Sequence, residues 1–363
     1  MRRFDEWLVR EPRTRWEASL LNGLHLASHV YAAGVRARAW AYRQGVFRSV
    51  SMNVPVVSIG NVTVGGTGKT PLTIFLARYL KARGRNPAIV SRGYLKEGRG
   101  LVIVSNGVDL LVGRRQAGDE PYLMARSVPG VPVVVGPNRA IAGYVACGRF
   151  APDIILMDDG FQHLKVQRDL DIVVIDSTDP FGNGCTLPRG ILREPPSHIV
   201  RADMIVLTRV DQAEHLRDVR DHIRDLNRTA PIVESIHKTV ALVHFQERAE
   251  LGLHALRGAS VVALSSIGNP GAFERSLTGL GARLTDRWRL PNHHHYRRGP
   301  LSDIVDRARD LNVEAIVTTE KDIVRFPPGF AFHVPLWVLK VELAVVAGED
   351  HLLRIVNLRA EPS

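Results

Sequence analysis

Apolar side chains recur at three- and four-residue intervals near the start of the chain, and this spacing predicts an amphipathic helix. Arginines lie on both sides of the apolar stripe. A helix of this kind can lie in a membrane interface or pack against the protein's own core, and the pattern leaves both interpretations open. The stripe comprises Trp16, Leu20, Leu24, Ala27, Tyr31 and Val35.

From residue 54 onward, short apolar runs alternate with helical patterns. The runs are bounded by glycine, proline or aspartate, as buried parallel strands usually are. A helix is predicted over 69–83, between the first two runs. The alternation predicts an α/β fold with a doubly wound, mostly parallel sheet. The runs cover residues 54–59, 88–91, 131–135, 154–157, 172–175 and 204–207.

Beyond residue 232 the pattern changes, which predicts a second, smaller α/β domain. Residues 240–245 alternate like an exposed strand, whereas 260–264 and 315–319 are short buried runs. Residues 351–358 are predicted to form a helix that returns to the first domain. The expected parts are a basic helical segment, a core, the smaller domain and a return segment, at residues 1–48, 49–235, 236–345 and 346–363.

Composition narrows the class of protein. The 363 residues are 45% hydrophobic and 23% charged, as in an ordinary globular protein. A net charge of +11 favours a polyanionic partner, which can be nucleic acid, an anionic bilayer or a phosphorylated substrate. Cys147 and Cys185 lack metal-ligand spacing, and no signal peptide or apolar run of spanning length is evident. We therefore expect a cytoplasmic protein without a spanning helix.

The strongest local motif follows the first apolar run and precedes the first predicted helix. Its glycines allow backbone N–H groups to curl around phosphate oxygens, and the helix start adds partial positive charge. Lys69 can reach the outer phosphates and take part in catalysis, and Thr70 can bind magnesium. A strict Walker A motif has glycine in place of Thr63, so this P-loop is a variant. The predicted nucleotide-binding residues are Thr63, Val64, Gly65, Gly66, Thr67, Gly68, Lys69 and Thr70.

A P-loop enzyme of this type also needs a carboxylate at the end of a neighbouring strand, because Mg²⁺ prefers carboxylate and hydroxyl oxygens. Asp158 and Asp159 follow the run at 154–157. Together with Thr70 they form the predicted magnesium site, in which one aspartate holds the metal and the other positions the nucleophile. The alternative interpretation is a pair of helix N-cap residues that opens the segment 160–163.

Other features are compatible with a P-loop GTPase or metal chaperone. Residues 208–211, Thr-Arg-Val-Asp, resemble the Thr-Lys-x-Asp box that reads guanine, and the three histidines at 293–295 could deliver a metal. The box has arginine for lysine, however, and three consecutive side chains cannot point to one side of regular structure. A nucleic-acid-binding ATPase is a third hypothesis, but no recognition motif such as an RNP box is present and the arginines are dispersed.

In chain order, the motifs resemble those of the tetraacyldisaccharide 4'-kinase family, the lipid A kinases. They include Ser-Arg-Gly-Tyr, Gly-Asp-Glu-Pro, Asp-Asp-Gly-Phe-Gln-His and Thr-Thr-Glu-Lys-Asp. Together they span most of the chain. The blocks that carry the resemblance are residues 54–71, 91–94, 118–121, 158–163, 187–195 and 318–322.

The resemblance implies a kinase that uses ATP and Mg²⁺. It implies transfer of the γ-phosphoryl group to the 4'-hydroxyl of a tetraacyldisaccharide 1-phosphate, which gives lipid IVA. The acyl chains of such a substrate lie in the bilayer, so the resemblance favours a membrane-interface role for the basic N-terminal helix. The expected location is the cytoplasmic face of the inner membrane, with a lipid substrate and no nucleic acid or obligate protein partner.

The resemblance also implies catalytic roles. Asp119 matches the proposed base of the family, which pairs with a histidine in a Phe-Pro-Asp-His-His-like block. That block is here residues 290–296, and His293 is the match by position. Asn292 stands where the family usually has aspartate, and asparagine can orient the histidine but carries no charge. His294 is the substitute if the loop shifts by one residue.

Several polar residues are candidates for substrate contacts. Guanidinium groups offer a planar, permanently charged fork, which suits the phosphates of ATP or the 1-phosphate of the lipid. Glu120 is expected to support the base or the metal, and Tyr94 to face the cleft. The arginine candidates are Arg92, Arg139 and Arg193.

Overall fold

The computed structural model describes residues 14–291 and 294–360. Residues 1–13 of the predicted N-terminal segment lie outside the described residues, as do Asn292 and His293. The helices are α1 (Arg15–Arg43), α2 (Lys69–Ala82), α3 (Arg114–Ala117), α4 (Asp119–Ser127), α5 (Arg139–Phe150), α6 (Leu216–Leu226), α7 (Pro270–Gly279), α8 (Arg298–Asp310), α9 (Glu320–Ile323) and α10 (Glu349–Ala360).

The strands follow the same α/β alternation. They are β1 (Val56–Gly60), β2 (Pro87–Ser91), β3 (Val102–Asn106), β4 (Pro132–Val135), β5 (Ile154–Asp158), β6 (Leu170–Asp176), β7 (Met204–Thr208), β8 (Ile232–His244), β9 (Ala249–Leu251), β10 (Ser260–Ser265), β11 (Arg283–Arg289), β12 (Ala315–Thr319) and β13 (Leu336–Ala347).

The chain divides into two compact units. The larger unit contains the described residues up to Ile236 and those from Leu343 onward, and the smaller unit runs from His237 to Glu342. Both boundaries fall within long strands, β8 and β13.

In the larger unit, the sheet has the order β8-β7-β6-β1-β5-β2-β4-β3. Every neighbouring pair is parallel except β3 with β4, which is antiparallel. The predicted α/β fold with a doubly wound, mostly parallel sheet is thereby confirmed. Strand β1 lies between β5 and β6, with Ile59 opposite Asp158. The P-loop after β1 and the aspartates of β5 therefore lie at the same edge of the sheet.

The core of this unit forms on both faces of the sheet. Val57 and Ile59 belong to one buried cluster and Val56 to another, because successive side chains of a strand point to opposite faces. Helices α2 and α10 contribute to the first cluster, and α5 to the second. These helices bury apolar residues at helical spacing, such as Leu72 and Leu76 in α2.

In the smaller unit, β10 lies between β11 and β12, β12 pairs with β13, and all three pairs are parallel. Strand β9 pairs with β8 in antiparallel orientation. Val261 and Val317 pack in one buried cluster with α7, whereas Val262 and Ile316 pack in a second cluster with α8.

Helix α1 packs on the larger unit through a narrow stripe that includes Leu21, Ser28 and Ala32. Ser28 provides the polar anchor: Thr186 Oγ1 donates to its carbonyl at 2.8 Å, and Arg189 N donates to its Oγ at 3.0 Å. The predicted apolar stripe lies largely outside this contact, with Trp16, Leu20, Ala27 and Tyr31 exposed. Among the helices of the described ranges, we find none with the length and hydropathy needed to cross a bilayer.

Gly60, the last residue of β1, lets Phe161 lie closer to the β1 backbone than a residue with a side chain would permit. A Cβ atom at position 60 would lie 2.5 Å from Phe161 Cβ and 2.6 Å from Phe161 N. Phe161 is completely buried, so it has no room to move.

We predict that Gly60→Ala destabilises the protein by about 3 kcal/mol, because both clashing groups are fixed. Gly34→Ala is the matched control: Gly34 lies in α1 with nothing within 4 Å of its added Cβ, and alanine there should stabilise by about 0.5–1 kcal/mol. Thermal unfolding monitored by circular dichroism measures both. A Gly60→Ala variant that unfolds at the wild-type temperature would contradict the packing described.

Candidate functional site

The P-loop connects β1 to α2 through residues with unusual backbone conformations. Gly65 and Gly68 have φ angles of +119° and +102°, which residues with side chains rarely adopt. Val64, Gly65 and Gly66 are exposed, whereas Thr63 and Thr67 are buried. The exposed tip and the start of α2 leave backbone N–H groups free to bind an anion.

The base of the P-loop is held by neighbouring segments. Val64 N donates to Ile191 O at 2.7 Å. Asn61 Nδ2 donates to Thr67 Oγ1 at 3.1 Å, and Gln162 Nε2 donates to the carbonyl of Asn61 at 2.7 Å. Residues from three separate parts of the sequence thus fix the loop before any ligand binds.

Lys69 and Thr70 open α2 and are 8% and 2% exposed. The Lys69 ammonium lies 3.5 Å from Asp159 Oδ1, so the structure brings these two predicted residues together. A lysine this deeply buried needs a negative partner, which Asp159 provides.

Asp158 is a buried carboxylate at the end of β5. It accepts hydrogen bonds from Ser91 Oγ at 3.0 Å and Thr73 Oγ1 at 3.4 Å. The pKa of Asp158 is raised to about 7, chiefly by burial and also by the charges of Glu120 and Asp159, whereas the charge of Lys69 and the hydrogen bond from Ser91 lower it. Asp158 is therefore a site where added positive charge would be strongly favoured.

Asp159 has the opposite electrostatic character. Burial alone would raise its pKa, but Lys69 and Arg193 lower the pKa to about 2. Arg193 Nη1 lies 2.8 Å from Oδ1 and 3.0 Å from Oδ2 of Asp159. The φ angle of Asp159 is +53°, and the residues after it form turns rather than a helix, so the N-cap interpretation is wrong.

Arg139 and Arg92 lie in the same electrostatic environment. Arg139 is 7% exposed and begins α5, where Asn138 caps the helix. Burial lowers the pKa of Arg139, while Asp159 and Asp158 raise it and Arg92 lowers it. Arg139 Nη1 donates to Pro137 O at 3.1 Å, and its buried Nε has no partner among the described residues. Arg92 is exposed.

Asp119 and Glu120 begin α4, directly after Gly118. Asp119 is 8% exposed, and its side chain does not cap the helix but lies 2.9 Å from Arg114 Nη1. Glu120 acts on the pKa of Asp158 and so belongs to the same acidic environment. Tyr94 is exposed.

In the smaller unit, His293 is outside the described residues, but the adjoining segment is well anchored. Tyr296 Oη and Ser266 Oγ donate to the buried Asp322 Oδ1 at 3.1 and 2.6 Å. Burial lowers the pKa of His294. Within the described part of the chain, no group of three or more histidine, cysteine or acidic side chains is arranged to hold a metal.

Some partners of these residues were not apparent in the sequence. Ser91 and Thr73 bind Asp158, and Arg114 binds Asp119. Thr73 follows Lys69 by four residues, so helical spacing could have placed it on the same face of α2. The other two contacts join distant segments or a short loop, and no local pattern indicates them.

Comparison with known proteins adds independent information. The family model described as tetraacyldisaccharide-1-P 4'-kinase matches residues 20–359. A tetraacyldisaccharide 4'-kinase from Anaeromyxobacter sp. (strain Fw109-5) is 44% identical over 343 residues, which are 94% of this chain and 92% of that relative. The corresponding protein of Syntrophus aciditrophicus (strain SB) is 40% identical over 331 residues, covering 89% of this chain and 88% of the relative.

A solved structure agrees with these sequence matches. The crystal structure of LpxK from Aquifex aeolicus in complex with ATP has a TM-score of 0.73 and 28% identity to this chain. The match covers 94% of this chain and 100% of that one.

The raised pKa of Asp158 should make the stability of the protein depend on pH near neutrality. Because the pKa of Asp158 is raised from 3.8 to about 7, its contribution to stability is present below the unfolded pKa and is lost as pH rises through 7. The side chain of Asp158→Asn does not titrate, so this variant does not lose stability in the same way. We predict that the melting temperature of Asp158→Asn minus that of wild type increases by about 5 °C from about pH 5 to pH 8, in EDTA without nucleotide.

Asp286→Asn is the control for this measurement, since Asp286 is not among the groups that act on Asp158. Hydrogen bonds from Arg287 N and Trp288 Nε1 lower the pKa of Asp286, so its contribution is present above the unfolded pKa of 3.8 and is lost only as pH falls below that value. Its melting temperature relative to wild type should therefore stay constant over the same range. Parallel curves for both variants would show that Asp158 does not have a raised pKa.

Proposed function

This chain belongs to the tetraacyldisaccharide-1-P 4'-kinase family, whose activity is phosphoryl transfer to an alcohol group, and we propose how its own residues perform that reaction. The reaction moves the γ-phosphoryl group of ATP to the 4'-hydroxyl of a tetraacyldisaccharide 1-phosphate and forms lipid IVA. Family membership favours this function over a GTPase or metal chaperone. The observation that carries the residue assignment is the convergence of Lys69, Asp158 and Asp159 beside the P-loop.

The nucleotide is bound by residues 63–70. Support comes from the exposed glycines at 65 and 66 and from the helix start at Lys69, which together favour a triphosphate. Lys69 is held by Asp159 in the absence of ligand and can turn to the outer phosphates, because both groups lie at the same edge of the sheet. ATP is the nucleotide in the Aquifex aeolicus structure, which supports ATP as the donor here.

Magnesium fits the donor set of this site. Thr70 and Asp158 supply hydroxyl and carboxylate oxygens, which are the ligands that Mg²⁺ prefers. The raised pKa of Asp158 indicates an unmet need for positive charge, whereas Asp159 already has two cationic partners. We therefore assign Asp158, with Thr70, to the metal, and Asp159 to the positioning of Lys69 and Arg193. When bound, Mg²⁺ would neutralise charge on the transferring phosphates.

Asp119 is assigned as the base that accepts the proton of the sugar hydroxyl. Phosphoryl transfer depends mainly on alignment and charge neutralisation, so a positioned carboxylate is sufficient for this step. Arg114 holds the Asp119 side chain at 2.9 Å. His293, with Asn292 before it, is assigned as the partner of the base by its position in the family motif. Glu120 supports the acidic environment around Asp158.

The arginines are assigned to phosphate binding. Arg139 is the best supported, because its guanidinium is buried near two aspartates and has an Nε atom without a partner among the described residues. Arg193 and Arg92 lie near enough to influence the pKa of Arg139. These cations suit the γ-phosphate of ATP and the 1-phosphate of the lipid. Tyr94, exposed beside Gly93, is assigned to the substrate cleft.

Helix α1 is proposed to bind a membrane surface, the cytoplasmic face of the inner membrane. Apolar side chains remain exposed along it: Leu20 and Val30 are 45% and 69% exposed. Arg36 and Arg43 lie on the same helix and are also exposed, so anionic head groups would add to the attraction. The partners proposed are the lipid substrate and this surface, without nucleic acid or an obligate protein.

We predict that the protein transfers labelled γ-phosphate from ATP to tetraacyldisaccharide 1-phosphate in mixed micelles. Lys69→Ala and Asp119→Ala should each lower the rate by at least about 100-fold, because one removes phosphate neutralisation and the other removes the base. Arg217→Ala is the control, since the Arg217 side chain is 92% exposed and should not affect the rate.

GTP serves as a parallel donor in the same assay. Hydrolysis of GTP without labelling of the lipid would contradict the proposed reaction. If Asp119→Ala labels the lipid as fast as wild type, the proposed reaction stands but the assignment of Asp119 as the base is wrong.

For the membrane surface, we predict that the double variant Leu20→Glu and Val30→Glu binds anionic phospholipid vesicles at least about tenfold more weakly than wild type in a flotation assay. Both side chains are exposed, so the melting temperature should not change. Val108→Glu is the control: Val108 is 90% exposed but lies outside α1. Equal binding by the double variant and wild type would rule out this surface.

A further inference from the structure

The Thr-Arg-Val-Asp segment that resembles a guanine-reading box has another role in this fold. Thr208 ends β7, and Thr208 and Arg209 are 0% and 7% exposed. Thr208 Oγ1 donates to Thr67 O at 2.8 Å, and Arg209 Nη2 donates to Gly66 O at 2.9 Å. Two consecutive residues therefore bind two consecutive carbonyl groups of the P-loop.

These hydrogen bonds determine where the neighbouring N–H groups point. A peptide unit is planar, and in its trans form the carbonyl of one residue and the N–H of the next point in opposite directions. Fixing the carbonyls of Gly66 and Thr67 therefore directs the N–H groups of Thr67 and Gly68 away from β7. A phosphate cradle requires N–H groups that converge on the ligand while the carbonyls face elsewhere.

Arg209 is itself held by the ends of neighbouring strands. Its backbone is left-handed, with φ 56° and ψ 37°, which is strained for a residue with a side chain. Its Nη1 forms an ion pair with Asp176 at the end of β6. Asp176 is fixed in turn, because Oδ1 accepts from Thr178 N at 3.1 Å and Thr178 Oγ1 at 2.8 Å.

We infer that Thr208 and Arg209 are positioning residues of the nucleotide site. They act through the P-loop backbone and bind neither nucleotide nor acceptor. This role explains why residue 209 is arginine and not the lysine of a guanine box. A guanidinium fork can bind the Asp176 carboxylate and the Gly66 carbonyl at the same time. The inference rests on the proposed function for the identity of the nucleotide.

The inference is tested by nucleotide affinity. Thr208→Val removes the donor and keeps the shape, and Arg209→Lys keeps the charge and loses the fork. Each should weaken ADP binding, measured by calorimetry with Mg²⁺, and raise KM for ATP by about tenfold, the effect expected from one hydrogen bond. The kcat for lipid phosphorylation and KM for the lipid should change by less than about threefold, because the reacting groups are untouched.

Two further variants make the test specific. Thr208→Ser retains the Oγ donor and should restore ADP affinity to within about twofold of wild type. Asp211→Asn is the matched control, since Asp211 is exposed in the same segment and should not alter affinity or the preference for ATP over GTP.

Several results would overturn the inference. One is wild-type ADP affinity in both Thr208→Val and Arg209→Lys, even if their melting temperatures fall, because their role would then be structural only. Another is a Thr208→Ser variant as weak as Thr208→Val. ADP binding is measured without the lipid, so a wild-type protein that binds ADP and phosphorylates no lipid refutes the proposed reaction and leaves this test intact.

Discussion

The pairing of Lys69 and Arg193 with Asp159 is the interaction on which the rest of the site depends. Two cations converge on one largely buried carboxylate, and removing Asp159 would leave both cations without this partner at the sheet edge. Among the described residues Asp158 has hydroxyl partners and no ion pair, and burial together with the charges of Glu120 and Asp159 raises its pKa to about 7. Adjacent residues of one type thus have different electrostatic roles because their surroundings differ.

The parallel sheet explains how residues far apart in sequence meet in this site. Strand β1 leads to the P-loop, β2 ends at Ser91, and β5 ends at the aspartate pair. These three strands lie at the centre of the larger unit. Carboxyl ends of parallel strands share one edge, so each loop only needs a short reach to contribute its side chain. The ends of β6 and β7 then support the P-loop from its other side, through Asp176 and Arg209.

Sequence patterns identified the elements whose signals are local. The central strands were predicted because both faces are buried, which requires continuous apolar runs. Strand β11 was missed because it is an edge strand with exposed residues alternating along it. Strand β3 was missed because it is an antiparallel edge strand. In α1 the most apolar stripe is not the buried one, because burial there depends on the contact of Ser28 with a distant threonine.

The same limit applies to the site. Gly65, Gly68 and Lys69 could be recognised because a phosphate cradle is built from consecutive residues. The contact between Arg193 and Asp159 depends on how separate loops meet after folding, and spacing along the chain does not encode it. In the Thr-Arg-Val-Asp segment the local pattern was misleading. It suggested recognition of guanine, whereas Thr208 and Arg209 contact the P-loop backbone.

One contact of α1 also links the outside of the protein to its interior chemistry. Tyr31 Oη donates to the carbonyl of Arg193 at 3.1 Å, and Arg193 is the residue that grips Asp159. Together with the hydrogen bonds of Ser28, this contact fixes α1 relative to the loop that carries Arg193. The membrane binding proposed for α1 would therefore hold the aspartate pair at a fixed distance from the head groups.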